Sequence, residues 1–398
     1  MKKLMIMAAL LLPVMSLLTA CGGGGGKNLT DKEILALVYQ KAGGDAWDDK
    51  DKENWNSDED LGKWKNVKVN ADGRVTDLTV RGAGEIPSEI AGLTELKNLT
   101  IVLRNDKLDP KKDDVIPASI SQLQNLETLR LNVSGSAYTV PDMSALKGLK
   151  TVYFKLPNGV GFPDVPTSVE SLDIDGGSGQ IPASYYDLSN LKRISITTSG
   201  LQGGIDPKIA NLKKLEHLQI DQTAGLIGNV AAADAVFPNE IYTMTNLKRI
   251  FLRKVSTSGT VPAEVANMKN LESIVLADCG LTGELPKELG QLTGLKTLEI
   301  YDNKITGTIP AEIGNMTALK ELWLQRNQLT GTIPASLGKL ANLEGLQLSK
   351  NQLTGKIPAE LANCKNLGKG PFVDFSGNNL DPAPEALKAL EKFSKFKF

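Results

Sequence analysis

The chain offers few groups that could carry out covalent chemistry. It has one histidine and three cysteines among 398 residues. A Ser-His-Asp or Cys-His arrangement would have to pass through His217. That histidine stands in Leu215-Glu216-His217-Leu218-Gln219-Ile220, in the outward slot of an alternating segment, and is expected to be an exposed bystander. A lone histidine rules out histidine metal clusters and leaves only carboxylate sites open. The segment Leu172–Pro182, LDIDGGSGQIP, has the flavour of an acidic, glycine-rich calcium loop, yet its spacing completes no ligand set. Asp173 and Asp175 alternate with apolar residues there, as outward strand positions do, and the glycines suit a shortened coil that turns early. No catalytic set and no cofactor is implied. The residues that do stand out are aromatic: Phe251, Tyr301 and Trp323 fall in outward slots, with Val275 between them and Tyr153 more isolated. Arg249, Arg253, Lys254, Arg326 and Lys350 share their register. Aromatics ringed by arginine are the composition of binding hot spots. The same rings could stack on sugars, or pair with one another across strands.

These residues are placed by a repeat. Pro238, Pro262, Pro286, Pro310, Pro334 and Pro358 recur every 24 residues, each preceded by variants of LxxLxxLxLxxNxLTGxIP. A fixed period of this size marks a solenoid, in which each coil buries its apolar row only against its neighbours. In Thr297-Leu298-Glu299-Ile300-Tyr301, Leu298 and Ile300 are expected to point inward and the others outward. Asn303, Asn327 and Asn351 fall at the following turn, where a buried amide can bond backbone groups of its own and the next coil. Gly307, Gly331 and Gly355 supply backbone freedom, and Ile-Pro followed by xxLG suits a tight turn and a short 3-10 stretch. Counting the second inward residue of each strand gives thirteen strands, from Val80 to Phe375, with extra loops near Asn105–Asp114 and Ala224–Phe237.

This pattern resembles the plant-type form of the leucine-rich repeat family, strictly from about Met244 to Leu361 and more loosely upstream. Cys279 sits where the repeat places Asn, and Cys364 takes a Leu slot in LANCKNL, so both read as small buried apolar groups. The resemblance implies an α/β solenoid: a curved horseshoe with a parallel concave sheet of about thirteen strands, a convex side of short 3-10 turns, and helical caps at both ends. It also implies protein–protein recognition as the common role. Residues 29–74 read as the N-terminal cap, with a capping box at Thr30 and Glu33, a hydrophobic staple of Leu29 and Ile34, a stop at Gly43, and Trp47, Trp55 and Trp64. The block resembles the cap that precedes such repeats, but lacks the paired cysteines of the plant form. Residues 75–380 are the array. Residues 381–398 read as a closing amphipathic helix with Leu387, Leu390 and Phe393 on one side.

Residues 1–20, with Lys2 and Lys3 before the apolar run Leu4–Leu18, read as an export signal too short for an ordinary membrane span. Leu18-Thr19-Ala20-Cys21 resembles the lipobox of bacterial lipoproteins, which implies cleavage before Cys21 and a lipid on that residue. Gly22–Gly26 then make residues 21–28 a flexible tether. A near-neutral balance of 45 basic and 46 acidic residues argues against nucleic acid. The expectation is a monomeric, lipid-anchored protein of the bacterial cell envelope, in the outer membrane. It would bind a protein partner through Arg249, Phe251, Arg253, Tyr301, Trp323 and Arg326 without catalysis. The alternative partner is a carbohydrate. The glycine tract carries no acidic cluster that would mark which face of the membrane the body occupies.

Overall fold

The computed structural model describes residues 29–105, 115–135, 140–222, 236–256, 258–370, 372–381 and 396–397. The candidate lipid site Cys21, the signal and the tether lie outside these residues, as do most of both extra loops and most of the closing helix expected over 381–398, of which Phe396–Lys397 is strand instead.

Apolar side chains at alternate positions drive each short strand into the core, and successive coils hydrogen-bond side by side. The result is one sheet of fifteen strands. Thirteen are the expected repeat strands, from Val75–Gly82 to Val373–Asp374, paired in parallel and almost always in sequence order. At the front, Val67–Val69 pairs antiparallel with Val75–Gly82. At the back, Phe396–Lys397 adds a parallel strand against Val373–Asp374, so the end of the chain extends the sheet edge. The period of two read from the sequence is clear around Leu298: Leu298 and Ile300 are fully buried, while Thr297, Glu299 and Tyr301 face the concave side; outward Ser195, Val275 and Ala277 are nevertheless buried by their neighbours.

Most strands are followed by a short 3-10 turn on the opposite side, such as Ala311–Asn315 and Ala335–Lys339, with Pro310 and Pro334 capping them; the coils after Thr128–Gly135 and Thr151–Leu156 have none among the described residues. Proline suits that place because its fixed φ starts the turn and it has no N–H to leave unpaired. Gly307, Gly331 and Gly355 sit at φ 73° to 75°, where a Cβ would be strained. The glycine of the xxLG element has a different reason. A Cβ on Gly290, Gly314 or Gly338 would run into the backbone carbonyl of Glu312, Ser336 or Glu360 in the next coil. Those glycines set how closely coils approach.

Asparagine amides run through the core as a spine. Asn327 Nδ2 donates to the carbonyls of Ile300 (2.7 Å) and Leu324 (3.1 Å), and its Oδ1 accepts from Ile305 N–H (3.1 Å). Asn303, Asn351 and Asn378 repeat the arrangement. The amides therefore serve their own coil and the preceding one, where the sequence reading expected the next. Cys279 occupies the same slot, fully buried, with Sγ 3.3 Å from the carbonyl of Ala277. Burial pushes its thiol up to about 12, and the thiol stays protonated. Cys364 is buried too, and both cysteines are free.

A row of charges borders the sheet just before each strand. Glu127, Lys150, Glu170, Lys192, Glu216, Lys248, Glu272 and Lys296 alternate in sign, each joined to the one before by a backbone bond. Cross-coil ion pairs link Lys150 to Glu127, Lys192 to Glu170, Lys248 to Glu216 and Lys296 to Glu272, at 2.6 to 3.5 Å. The alternation breaks once, where Lys296 neighbours Lys320, which pairs onward with Glu344 at 3.0 Å. Half-exposed pairs of this kind are individually weak, but a repeated row helps select the register between coils.

The cap begins with the helix Asp31–Lys41, whose capping box at Thr30 and Glu33 is formed in full. Trp47 and Trp55 meet edge to face with centroids 4.9 Å apart, and Trp55 and Trp64 lie 5.5 Å apart; all three are buried. Asp31 is the residue that the sequence reading missed. Although charged, it is only 6% exposed and clamps the first coil, accepting from Val75 N–H (2.7 Å) and Arg74 Nε (3.0 Å).

Candidate concave binding site

The strand Arg249–Arg253 presents Arg249, Phe251 and Arg253 to the concave side, with Ile250 and Leu252 buried beneath. Register places Phe251 beside Val275, Val275 beside Glu299, and Glu299 beside Trp323. Tyr301 follows Glu299 on its strand and meets Trp323 at a centroid distance of 6.1 Å. Trp323 in turn meets Phe372 edge-on at 6.3 Å. Phe372 is 44% exposed and extends the aromatic cluster two coils beyond Trp323. The sequence reading omitted it, although its register opposite Gly345 could have been counted from the buried Val373.

The arginines are not equivalent. Arg253 lies over Phe251, Cζ 5.3 Å from the ring centroid, and hydrogen-bonds Tyr301. Its guanidinium is also held by Asp221 through Nε (2.9 Å) and Nη2. It therefore props the aromatics in place, with its charge already matched inside the protein. Arg326, at φ 56°, pairs with Asp302 at 3.5 Å. Arg249 is exposed beside His217. Val275 is buried, so it packs beneath the row and presents little surface. Lys254 and Lys350, also at positive φ, stand with Arg326 along the edge of this face.

Two carboxylates complete the site. Glu299 is flanked by Val275 and Trp323, and burial, with the neighbouring Glu321 second, raises its carboxyl to about 7. Burial also raises Glu321, whose Oε2 accepts from Trp323 Nε1 at 3.1 Å. Gly345 makes room for it, since a Cβ there would fall on Glu321 Oε2. A raised carboxyl pKa means the folded chain binds a proton that the unfolded chain releases. The stability Glu299 contributes is full below about 4.5 and is lost as pH rises to about 7. Glu299→Gln should remove this dependence. Urea unfolding should then show the variant matching the parent at pH 4 and exceeding it at pH 8 by about 1 kcal/mol, discounted for partial exposure. Equal stability at pH 8 would show that water reaches Glu299 freely.

The other chemical candidates resolve as structure. His217 faces outward between Arg193 and Arg249, with its pKa lowered by partial burial and then by those two charges. Asp173 pairs with Arg193 (3.0 Å) and Asp175 with Lys155 (3.3 Å). Gly176 and Gly177 turn that coil early at φ 88° and 74°. Among the described residues, no group of three or more His, Cys, Asp or Glu is placed to hold a metal.

A family model described as a leucine-rich repeat region matches residues 237–370. The array has the solenoid fold of leucine-rich repeat structures. The Arabidopsis receptor kinase HAESA, solved with the peptide hormone IDA and the co-receptor SERK1, is 25% identical with a TM-score of 0.73 over 91% of this chain. A leucine-rich repeat protein of Leptospira interrogans is 24% identical, with a TM-score of 0.55 over 79% of this chain and 81% of its own. An internalin of Listeria monocytogenes is 20% identical, with a TM-score of 0.56 over 81% and 86%. The chain spans 54% to 60% of the plant receptor structures it matches. No curated protein matches it by sequence.

Proposed function

We propose that this leucine-rich repeat chain is a non-catalytic, lipid-anchored protein of the bacterial envelope that holds a protein or peptide partner on its concave face. The observation that carries the binding role is the cluster of half-buried and exposed rings, Phe251, Tyr301, Trp323 and Phe372, on a sheet face that is mostly polar elsewhere. Exposed rings leave apolar surface in water, which a partner would cover. Arg253, tied to Asp221, fixes two of them in advance, so docking costs little ordering entropy. HAESA, with the same architecture, was solved with a peptide and a protein bound. Anchoring would rest on Cys21, and outer-membrane residence on the lipid it would carry.

Proximity labelling from intact cells should enrich one protein partner. Its recovery should fall about tenfold or more with Phe251→Ala plus Trp323→Ala, the scale of losing a pair of aromatic anchors. A fatty-acid probe should label the parent chain, and Cys21→Ala should abolish that label. Unchanged recovery in the double variant would move the binding role off this face. Binding to a glycan array that is lost on Trp323→Ala would assign the face to carbohydrate.

A further inference from the structure

Acidic groups along the concave strands are generally matched by a neighbouring cation. Asp173 has Arg193, Asp175 has Lys155, Asp221 has Arg253, and Asp302 has Arg326. Asp374 lacks a cation among the described residues but is held by Ser376 N–H and Oγ, whereas Glu299 and Glu321 depart further. Among the described residues, no lysine or arginine stands within ion-pair distance of either carboxylate. Glu299 is flanked by Thr297 and Tyr301 along its strand and by Val275 and Trp323 across it. None of these is cationic. The charge row that borders the sheet brings none in either, because Lys296 and Lys320 are taken by Glu272 and Glu344. A third acceptor lies close by in the same register. Gln325, opposite Tyr301, keeps a buried Oε1 that accepts no hydrogen bond. Among the described residues, Glu321 has one donor, Trp323 Nε1, and Glu299 and Gln325 Oε1 accept no hydrogen bond. Acceptors left short in this way are costly, and the group that would satisfy several at once is a cation with multiple N–H donors. The rings around them favour the same occupant, since aromatic faces attract ammonium and guanidinium groups.

We propose that Glu299 and Glu321, framed by Trp323, Tyr301 and Phe372, form a seat for one basic side chain, lysine or arginine, projected by the protein partner. The proposal rests on the concave-face reading above and specifies the chemistry of the partner residue that face selects. Trp323 positions Glu321 through its Nε1 and shields the seat. Glu321 Oε2 takes the space over Gly345, where it meets Trp323, and leaves Oε1 for the ligand. A neutral sugar could reach the rings, but it would leave the carboxylates uncompensated.

The test uses capped peptides Ac-Gly-Arg-Gly-NH2 and Ac-Gly-Lys-Gly-NH2, with the citrulline counterpart as the uncharged control. Three of the four tryptophans are buried in the cap, so fluorescence changes on titration report chiefly on Trp323. The cationic peptides should give a saturable change and citrulline none. Glu299→Gln plus Glu321→Gln, close in shape to the parent and still able to accept from Trp323, should weaken binding about tenfold or more. Equal binding of the arginine and citrulline peptides, or no loss in the double variant, would overturn the seat. In partner recovery from cells, loss with the aromatic variants but not with the glutamine variants would also overturn it while leaving the concave-face reading intact. If the aromatic variants leave recovery unchanged, the concave-face reading fails, and the peptide titration still decides whether the seat binds cations.

Discussion

Asn327→Ala should lower the stability of the array by about 3–5 kcal/mol, making it one of the most damaging single polar truncations in the chain. The side chain is almost wholly buried and makes three short bonds to main-chain groups: the carbonyls of Ile300 and Leu324 and the N–H of Ile305. Truncation strands all three where water does not reach, and each stranded group costs about 1–3 kcal/mol. The loss also falls on two coils together, so neighbours that depend on each other for burial should open as a unit. Asn342→Ala is the matched control. That asparagine is exposed and makes one bond, to the carbonyl of Thr317 at 2.9 Å, so about 0.5–1 kcal/mol is expected. Urea unfolding followed by circular dichroism measures both. A small, equal effect at the two sites would mean that the buried amides are incidental to cohesion between coils.

Asp31→Ala should release the cap from the array at denaturant concentrations well below the main transition. Asp31 links the first helix to the first repeat strand through Val75 N–H and Arg74, and it is buried while doing so. Removing it leaves a buried N–H without an acceptor, at a cost of about 2–4 kcal/mol confined to the cap. Trp47, Trp55 and Trp64 then report the event, because their emission should shift to the red in an early separate transition. Thr30→Ala removes only the helix cap and should cost about 1 kcal/mol, without splitting the curve. A single coincident transition in Asp31→Ala would show that the tryptophan cluster alone holds the cap.

Much of this was legible in residue order. Alternation around Leu298 and Leu322, the spacing of the prolines and the capping box at Thr30 each depend on local chemistry, and thirteen repeat strands follow from them. What escaped reading depends on partners in other coils. Residue order shows Arg253 as a hot-spot cation but not its partner, because Asp221 lies across an irregular coil where the 24-residue ruler fails. Asp31 looked like an ordinary first-turn acid until Val75 and Arg74 closed over it. Glu299 looked like polar filler, since no single-sequence pattern says how deeply Val275 and Trp323 would bury it. The xxLG pattern suggests a 3-10 stretch, and only the neighbouring carbonyls show that its glycines govern spacing.

The alternating charges beside the strands also constrain how such a chain can change length. Removing one coil between Glu127 and Lys296 would set glutamate against glutamate or lysine against lysine along that border. Removing or duplicating two adjacent coils restores the order of opposite signs. Growth and shrinkage by even steps are therefore the cheaper moves, and the meeting of Lys296 with Lys320 is the kind of seam that one odd step would leave behind.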